Sequence, residues 1–229
     1  MAAASVVLSG AAAHAADLGT FEPAPTPPPA AAYSWTGVYV GLQGGYSWGS
    51  APQTYDNALI LLPINTQNPH GWGGGIEVGA NYQYNSGLVV GLEADATFAN
   101  ITDTVDDNLG NANFPPPPNN TVTATVDLAA NLRGRVGFAF DRTLLFAAGG
   151  VAVAHNKVDV TAGDLHDQAT LWGWTAGGGI EQAVTNKISV KVEYLYTQHG
   201  PHTWFAGQPF SSTGSDSGST VRAGLNLHF

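Results

Sequence analysis

At 229 residues the chain is long enough for one sizeable domain, or for one membrane barrel behind a processed leader. Only 10% of its residues are charged, where soluble domains carry roughly 25%, so a water-covered surface of this size would be short of charge. The formal net charge of -10 with scattered Lys and Arg argues against nucleic acid, and the absence of cysteine excludes disulfides and thiolate metal sites.

Residues 1–16 form an apolar Ala, Val and Leu run ending in Ala13-His14-Ala15, the small-x-small form that signal peptidase accepts. They read as a signal peptide with a mature start at Ala16 or Asp17. The basic n-region is missing, which leaves two readings, a start codon upstream of Met1 or an unusual export route. Residues 17–32, which include EPAPTPPPAAA, read as an extended, proline-rich periplasmic linker. Beyond the leader no run of about 18 apolar residues occurs, which excludes a helical span and leaves a closed sheet as the way to place apolar side chains in lipid.

From Tyr33 onward, side chains alternate with the period of a strand. In the first segment Val38, Val40, Leu42, Tyr46 and Trp48 oppose Tyr39, Gly41, Gln43, Gly45 and Ser47. The second sets Trp72, Ile76, Val78, Ala80, Tyr82 and Tyr84 against Glu77, Gly79, Asn81 and Gln83, and the third sets Leu88, Val90, Leu92 and Phe98 against Glu93, Asp95 and Thr97. The fourth, 121–140, alternates Val122, Ala124, Val126, Leu128, Leu132, Val136 and Phe138 with Asp127, Asn131, Arg133 and Arg135. The fifth, 144–154, is apolar on both faces and leaves its orientation open. In the sixth Trp172, Trp174 and Ile180 face away from Thr175 and Glu181; in the seventh Ile188, Val190, Val192, Tyr194 and Tyr196 face away from Ser189, Lys191 and Glu193. The eighth runs to the last residue, with Val221, Leu225, Leu227 and Phe229 opposite Arg222, Asn226 and His228.

The connections after segments two, four and six carry tight-turn chemistry at 85–87, 141–142 and 185–186. Those after one, three, five and seven are expected as long loops at about 49–70, 100–120, 155–169 and 198–218. Alternating short and long connections is the pattern of outer-membrane barrels, with short turns in the periplasm and long loops outside. The expected fold is therefore all-β, an eight-stranded antiparallel up-and-down transmembrane β-barrel over 33–229, in the outer membrane of a Gram-negative cell. A lipocalin-like soluble barrel would turn the apolar face inward. The polar face here is rich in Gly, Ser and Thr and poor in charge, which suits a crowded interior better than a wetted surface. Aromatic residues also fall in two belts, with Trp48, Trp72, Phe98, Trp172, Trp174 and Tyr196 near the loops and Trp35, Tyr82, Tyr84, Phe138, Phe140 and Phe229 near the turns.

The leader ending AAHAADL and the segments WTGVYVGLQGGY, NLRGRVGFAF, LLFAAGGVA, GWTAGGGIE, VKVEYLY and VRAGLNLHF resemble the small alphaproteobacterial outer-membrane β-barrel family. That family, often labelled porin family protein, includes surface antigens and some haemin-binding members. The resemblance implies an OmpA-like eight-stranded surface protein inserted by the outer-membrane assembly machinery, which reads a terminal aromatic, here Phe229.

With the apolar face in lipid, the lumen receives Glu77, Glu93, Asp95, Asp127, Glu181 and Glu193 together with Arg133, Arg135, Lys191 and Arg222. An eight-stranded barrel is just wide enough for side chains to fill, so these charges are expected to neutralise one another as a structural network. His70, His155, His166, His199 and His202 fall in or beside the expected external loops, where imidazoles offer themselves to haemin or a metal. The acids Asp103, Asp106 and Asp107 read as a solvated cluster. No serine or histidine stands in a nucleophile-elbow context, and no cofactor or resident metal is expected. The leading expectation is a non-enzymatic, structural surface protein whose partners are outer-membrane lipid and lipopolysaccharide. The alternatives are a narrow porin passing small solutes and haemin capture by the loop histidines.

Overall fold

The computed structural model describes residues 33–55, 66–106, 121–161, 165–207 and 211–229; the expected leader and linker lie outside them. The strands in chain order are β1 (Gly37–Tyr55), β2 (Thr66–Gln67), β3 (His70–Gln83), β4 (Leu88–Asp106), β5 (Thr121–Phe140) and β6 (Thr143–Val160). They continue with β7 (Leu165–Ala183), β8 (Ile188–His199), β9 (His202–Trp204), β10 (Ser212–Gly214) and β11 (Ser217–His228).

Eight of these, β1, β3, β4, β5, β6, β7, β8 and β11, pair antiparallel with their neighbours in sequence order. Pairing of β1 with β11, from Tyr39 opposite His228 to Ser50 opposite Ser217, closes the ring. Closure matters because an open edge in hydrocarbon would leave backbone N–H and C=O groups without partners. The tight turns stand where the sequence places them: Gly87 adopts φ 87° and Asp141 φ 54°, left-handed values that glycine and aspartate tolerate.

The outer wall is apolar. Leu42, Ile76, Leu92, Leu132 and Leu225 are all more than half exposed, and Glu93, Arg133 and Lys191, their neighbours across the sheet, are at most 2% exposed. The ambiguous fifth segment resolves as β6 with Leu144, Phe146, Ala148 and Ala152 inward and Leu145 and Val151 outward. Rings stand out from the wall at two levels. Trp48, Trp72, Phe98, Trp172 and Trp174 form the loop-side belt, while Tyr82, Tyr84, Phe138, Phe140 and Phe229 form the turn-side one.

Three expectations need correction. Trp35 is not in the turn-side belt; it is fully buried, packed edge-on against Tyr33 at 4.9 Å and His228 at 5.8 Å, with its backbone N–H donating to Gln83 Oε1 at 2.8 Å. The segment before β1 thus folds into the turn-side end of the lumen and joins a core with Val89, Leu144, Phe146 and Ala183. Second, much of the expected loops is strand. β4 pairs with β5 out to Asp106 opposite Thr121, and β6 with β7 out to Val160 opposite Leu165, well past the aromatic belt. Third, the alternation of β5 does not run through unbroken. The register shifts between Val126 and Leu128, which makes Asp127 a bulge residue, and a one-residue slip reverses every side chain beyond it. Ala124 and Val126 consequently line the lumen instead of the wall.

Candidate functional site

The lumen has three storeys: the aromatic plug around Trp35, an ionic middle, and a vestibule at the mouth. The middle storey is built by strand register. Glu93 on β4 lies directly opposite Arg133 on β5, and Glu193 on β8 opposite Arg222 on β11, so neighbouring strands deliver opposite charges to one face. Arg133 donates to Glu93, to Asp95 Oδ1 at 3.0 Å and to Glu193 Oε2 at 2.9 Å. Arg222 bridges Asp95 Oδ1 at 2.7 Å and Glu193 Oε1 at 2.6 Å. Arg135 reaches Glu181 Oε2 at 2.8 Å and lies over the Phe146 ring at 4.3 Å. Lys191 Nζ donates to Glu77 Oε2 at 2.6 Å and Glu93 Oε2 at 2.9 Å and stands 3.2 Å from Glu193 Oε1.

Glu93 is the hub, since Oε2 also accepts the Tyr39 hydroxyl at 2.5 Å. Tyr39 reaches it by crossing Gly79, where an added Cβ would run into the tyrosine ring. Asn131 ties Asp95 Oδ2 at 2.8 Å, and Asn226 ties Glu181 Oε1 at 2.9 Å. Sequence reasoning named the charged members but not Tyr39, Ser189, Asn226 and His228, which complete their shells. The inward parity of these four was visible; their partnership across the lumen was not.

Asp127 is a correction. As the bulge residue it lies apart from the network, about one-third exposed, and its Oδ2 accepts from Lys157 Nζ at 2.6 Å. The other nine charged residues converge, five carboxylates (Glu77, Glu93, Asp95, Glu181, Glu193) around four cations (Arg133, Arg135, Lys191, Arg222), all at most 6% exposed.

Two arrangements in this storey have the composition of reactive sites without their geometry. Glu77, Glu93 and Glu193 offer oxygens within 4.8 Å of one another, as a cation would require, yet Lys191 Nζ already bonds them. Ser189 Oγ contacts His228 Nε2 at 2.9 Å and Glu181 Oε1 at 2.5 Å. In a catalytic triad the carboxylate orients the histidine through the opposite ring nitrogen; here Glu181 approaches Nε2 itself, at 3.4 Å, and Ser189 is fully buried.

The histidines occupy strand ends rather than loops. His70 opens β3 with Nδ1 3.0 Å from Asn68 O, and His155 lies within β6 opposite Thr170. His166 on β7 contacts Asp159 Oδ1 at 2.5 Å, His199 ends β8, and His202 on β9 meets the Trp204 ring edge-on at 4.8 Å. Among the described residues they form no cluster of three metal-ligating groups with one another or with acids. Burial pushes the His199 imidazole below its ordinary value.

A closed antiparallel barrel with an apolar wall between two aromatic belts and charge sealed inside defines an integral outer-membrane protein. The chain belongs to the outer membrane protein beta-barrel domain family, whose model matches residues 2–229. It is 29% identical to the 31 kDa outer-membrane immunogenic protein of Brucella melitensis over 95% of this chain and 93% of that one. It is 30% identical to the 25 kDa outer-membrane immunogenic protein of Brucella abortus, over 83% of this chain and 78% of the relative. Among solved structures, the outer membrane protease OmpT of Escherichia coli superposes with a TM-score of 0.53 at 8% identity, over 86% of this chain and 98% of that one, a likeness of fold alone.

Proposed function

We propose that this outer-membrane barrel is a structural, surface-exposed protein without an enzymatic role, whose lumenal charges lock the fold and leave no conducting path. The observation that carries this reading is the middle storey, where nine charged side chains and Tyr39 span the lumen with almost no accessible surface. Such a network is rigid because each cation is held by two or more carboxylates, and Arg135 by an aromatic face as well. The aromatic plug around Trp35 closes the turn-side end a second time.

Surface exposure is supported by the strand extensions. From Phe98 to Asp106, β4 continues for about 27 Å along its axis beyond the loop-side belt. Every second residue opposite it there is a threonine (Thr121, Thr123 and Thr125), with Thr104 Oγ1 3.1 Å from Thr123 Oγ1, a pairing suited to water. Outer-membrane lipid and lipopolysaccharide are the proposed neighbours of the wall. Phe229, 72% exposed at the turn-side rim, is available to the assembly machinery as its terminal aromatic.

Thiol labelling tests this reading, because the chain has no cysteine of its own. A charged, impermeant thiol reagent is expected to label Thr197→Cys, which faces the vestibule, on intact cells, and to leave Ser189→Cys unlabelled until the barrel unfolds. Comparable labelling of both positions in folded protein would overturn the sealed lumen.

A further inference from the structure

We infer that the vestibule is a binding site for a small organic cation, a primary ammonium carried on a short apolar body. This goes beyond the structural role proposed above and holds whatever the network below it conducts.

The vestibule encloses about 170 Å³ above the ionic storey, with Arg222 in its floor. Its wall is apolar where Ala152, Ala154, Leu195 and Trp204 face it, all of them at most 4% exposed. Among the residues that line this space are some with buried polar atoms that the chain does not satisfy. Asn156 is 8% exposed and donates through Nδ2 to Asp216 Oδ2 at 2.8 Å. A carboxylate only accepts, so this bond fixes the amide orientation and leaves Asn156 Oδ1 as a buried acceptor without a partner. Gln43, 7% exposed, likewise keeps Oε1 without a partner.

Asp216 gives the site its sign. Among the described residues no Lys or Arg pairs with its carboxylate; burial holds its carboxyl above the ordinary aspartate value, and the Asn156 amide and the nearby His202 imidazole offset only part of that effect. The two cations that line the same space are already matched, Arg222 by Asp95 and Glu193 and Lys157 by Asp127. What remains is a carboxylate with no Lys or Arg partner and an unpaired amide oxygen beside alanine, leucine and indole surfaces. A buried acceptor without a donor is costly, and an ammonium supplies both the missing donors and the missing charge. An anion would meet the Asp216 carboxylate and the unpaired acceptors of Asn156 and Gln43.

The test uses the folded full-length barrel in detergent or nanodiscs with n-butylammonium as probe and butanoate as its charge-reversed control, observed by NMR. Butylammonium is expected to give saturable shifts at the Trp204 indole and the Asn156 side-chain amide, and butanoate none. Asp216→Asn is expected to weaken butylammonium at least tenfold. Ala154→Leu, which narrows the cavity without touching its charge, is expected to weaken it as well and carries the test if the first variant fails to fold. Absence of saturable shifts, equal response to butanoate, or undiminished binding in the folded variants would overturn the assignment.

Discussion

Leu132 is 55% exposed on the outer wall, and Arg133, the next residue in the chain, is fully buried in the lumen. That pair condenses the physics of the molecule, because each side chain is stable only in the medium its neighbour avoids. Arg133→Met strips Glu93, Asp95 and Glu193 of a shared cation and leaves buried negative charge uncompensated. The expected loss is about 3–5 kcal/mol, read as a shift in urea-induced unfolding from lipid vesicles. Leu132→Arg, placed between the aromatic belts, is expected to cost about 2–4 kcal/mol in the same assay, with a smaller loss as the site moves toward a belt. Equal tolerance of both substitutions would mean that the two faces had been assigned to the wrong media.

At the scale of the element, sequence periodicity is informative only where the two faces of a strand meet different media. Between the belts one face meets lipid and the other the packed lumen, and Val40, Val78, Leu92 and Val192 alternate with polar or small residues accordingly. The tight turns and the eight-strand count follow from that contrast. Past the loop-side belt both faces meet water, threonine and asparagine serve either, and the signal fades although pairing continues to Asp106 opposite Thr121. This is why the strand extensions read as loops and why the histidines were placed there. The bulge at Asp127 is illegible for a related reason, since the Ala, Val and Thr residues that it exchanges between the faces beyond the belt suit either one. Trp35 reads as a belt residue because one residue between two aromatic side chains cannot establish a period and so cannot show that the ring turns inward.

A pH effect belongs to the same strand ends. His199 at the end of β8 titrates below the ordinary histidine value, so its stability contribution is complete above that value and is lost as pH falls through its lowered folded one. Asp216, raised by burial, has the opposite sign: its contribution is complete below the ordinary aspartate value and is lost as pH rises through its folded one. Amide-exchange protection at the end of β8 is therefore expected to fall on acidification through the His199 window and to stop falling in His199→Gln. Identical acid profiles for the two proteins would remove the histidine from that account.

For the whole molecule, closure makes the other features possible. Pairing of β1 with β11 removes the last free edge and brings Arg222 on β11 within reach of Asp95 on β4, across the lumen. The candidate site was legible as a set of inward charges, because parity along each strand gives facing. Its connectivity was not, because which carboxylate meets which guanidinium depends on the curvature of a closed sheet. Glu181 lies opposite Lys191 in register yet bonds Arg135, and Lys191 turns to Glu77 and Glu93.

Single-protein recording in a planar lipid bilayer tests the sealed lumen most directly. The native barrel is expected to insert without a steady current, and Arg133→Met, if it opens the middle storey, to show conductance that the native protein lacks. A stable ohmic current through the native barrel would contradict a network that fills the lumen from wall to wall.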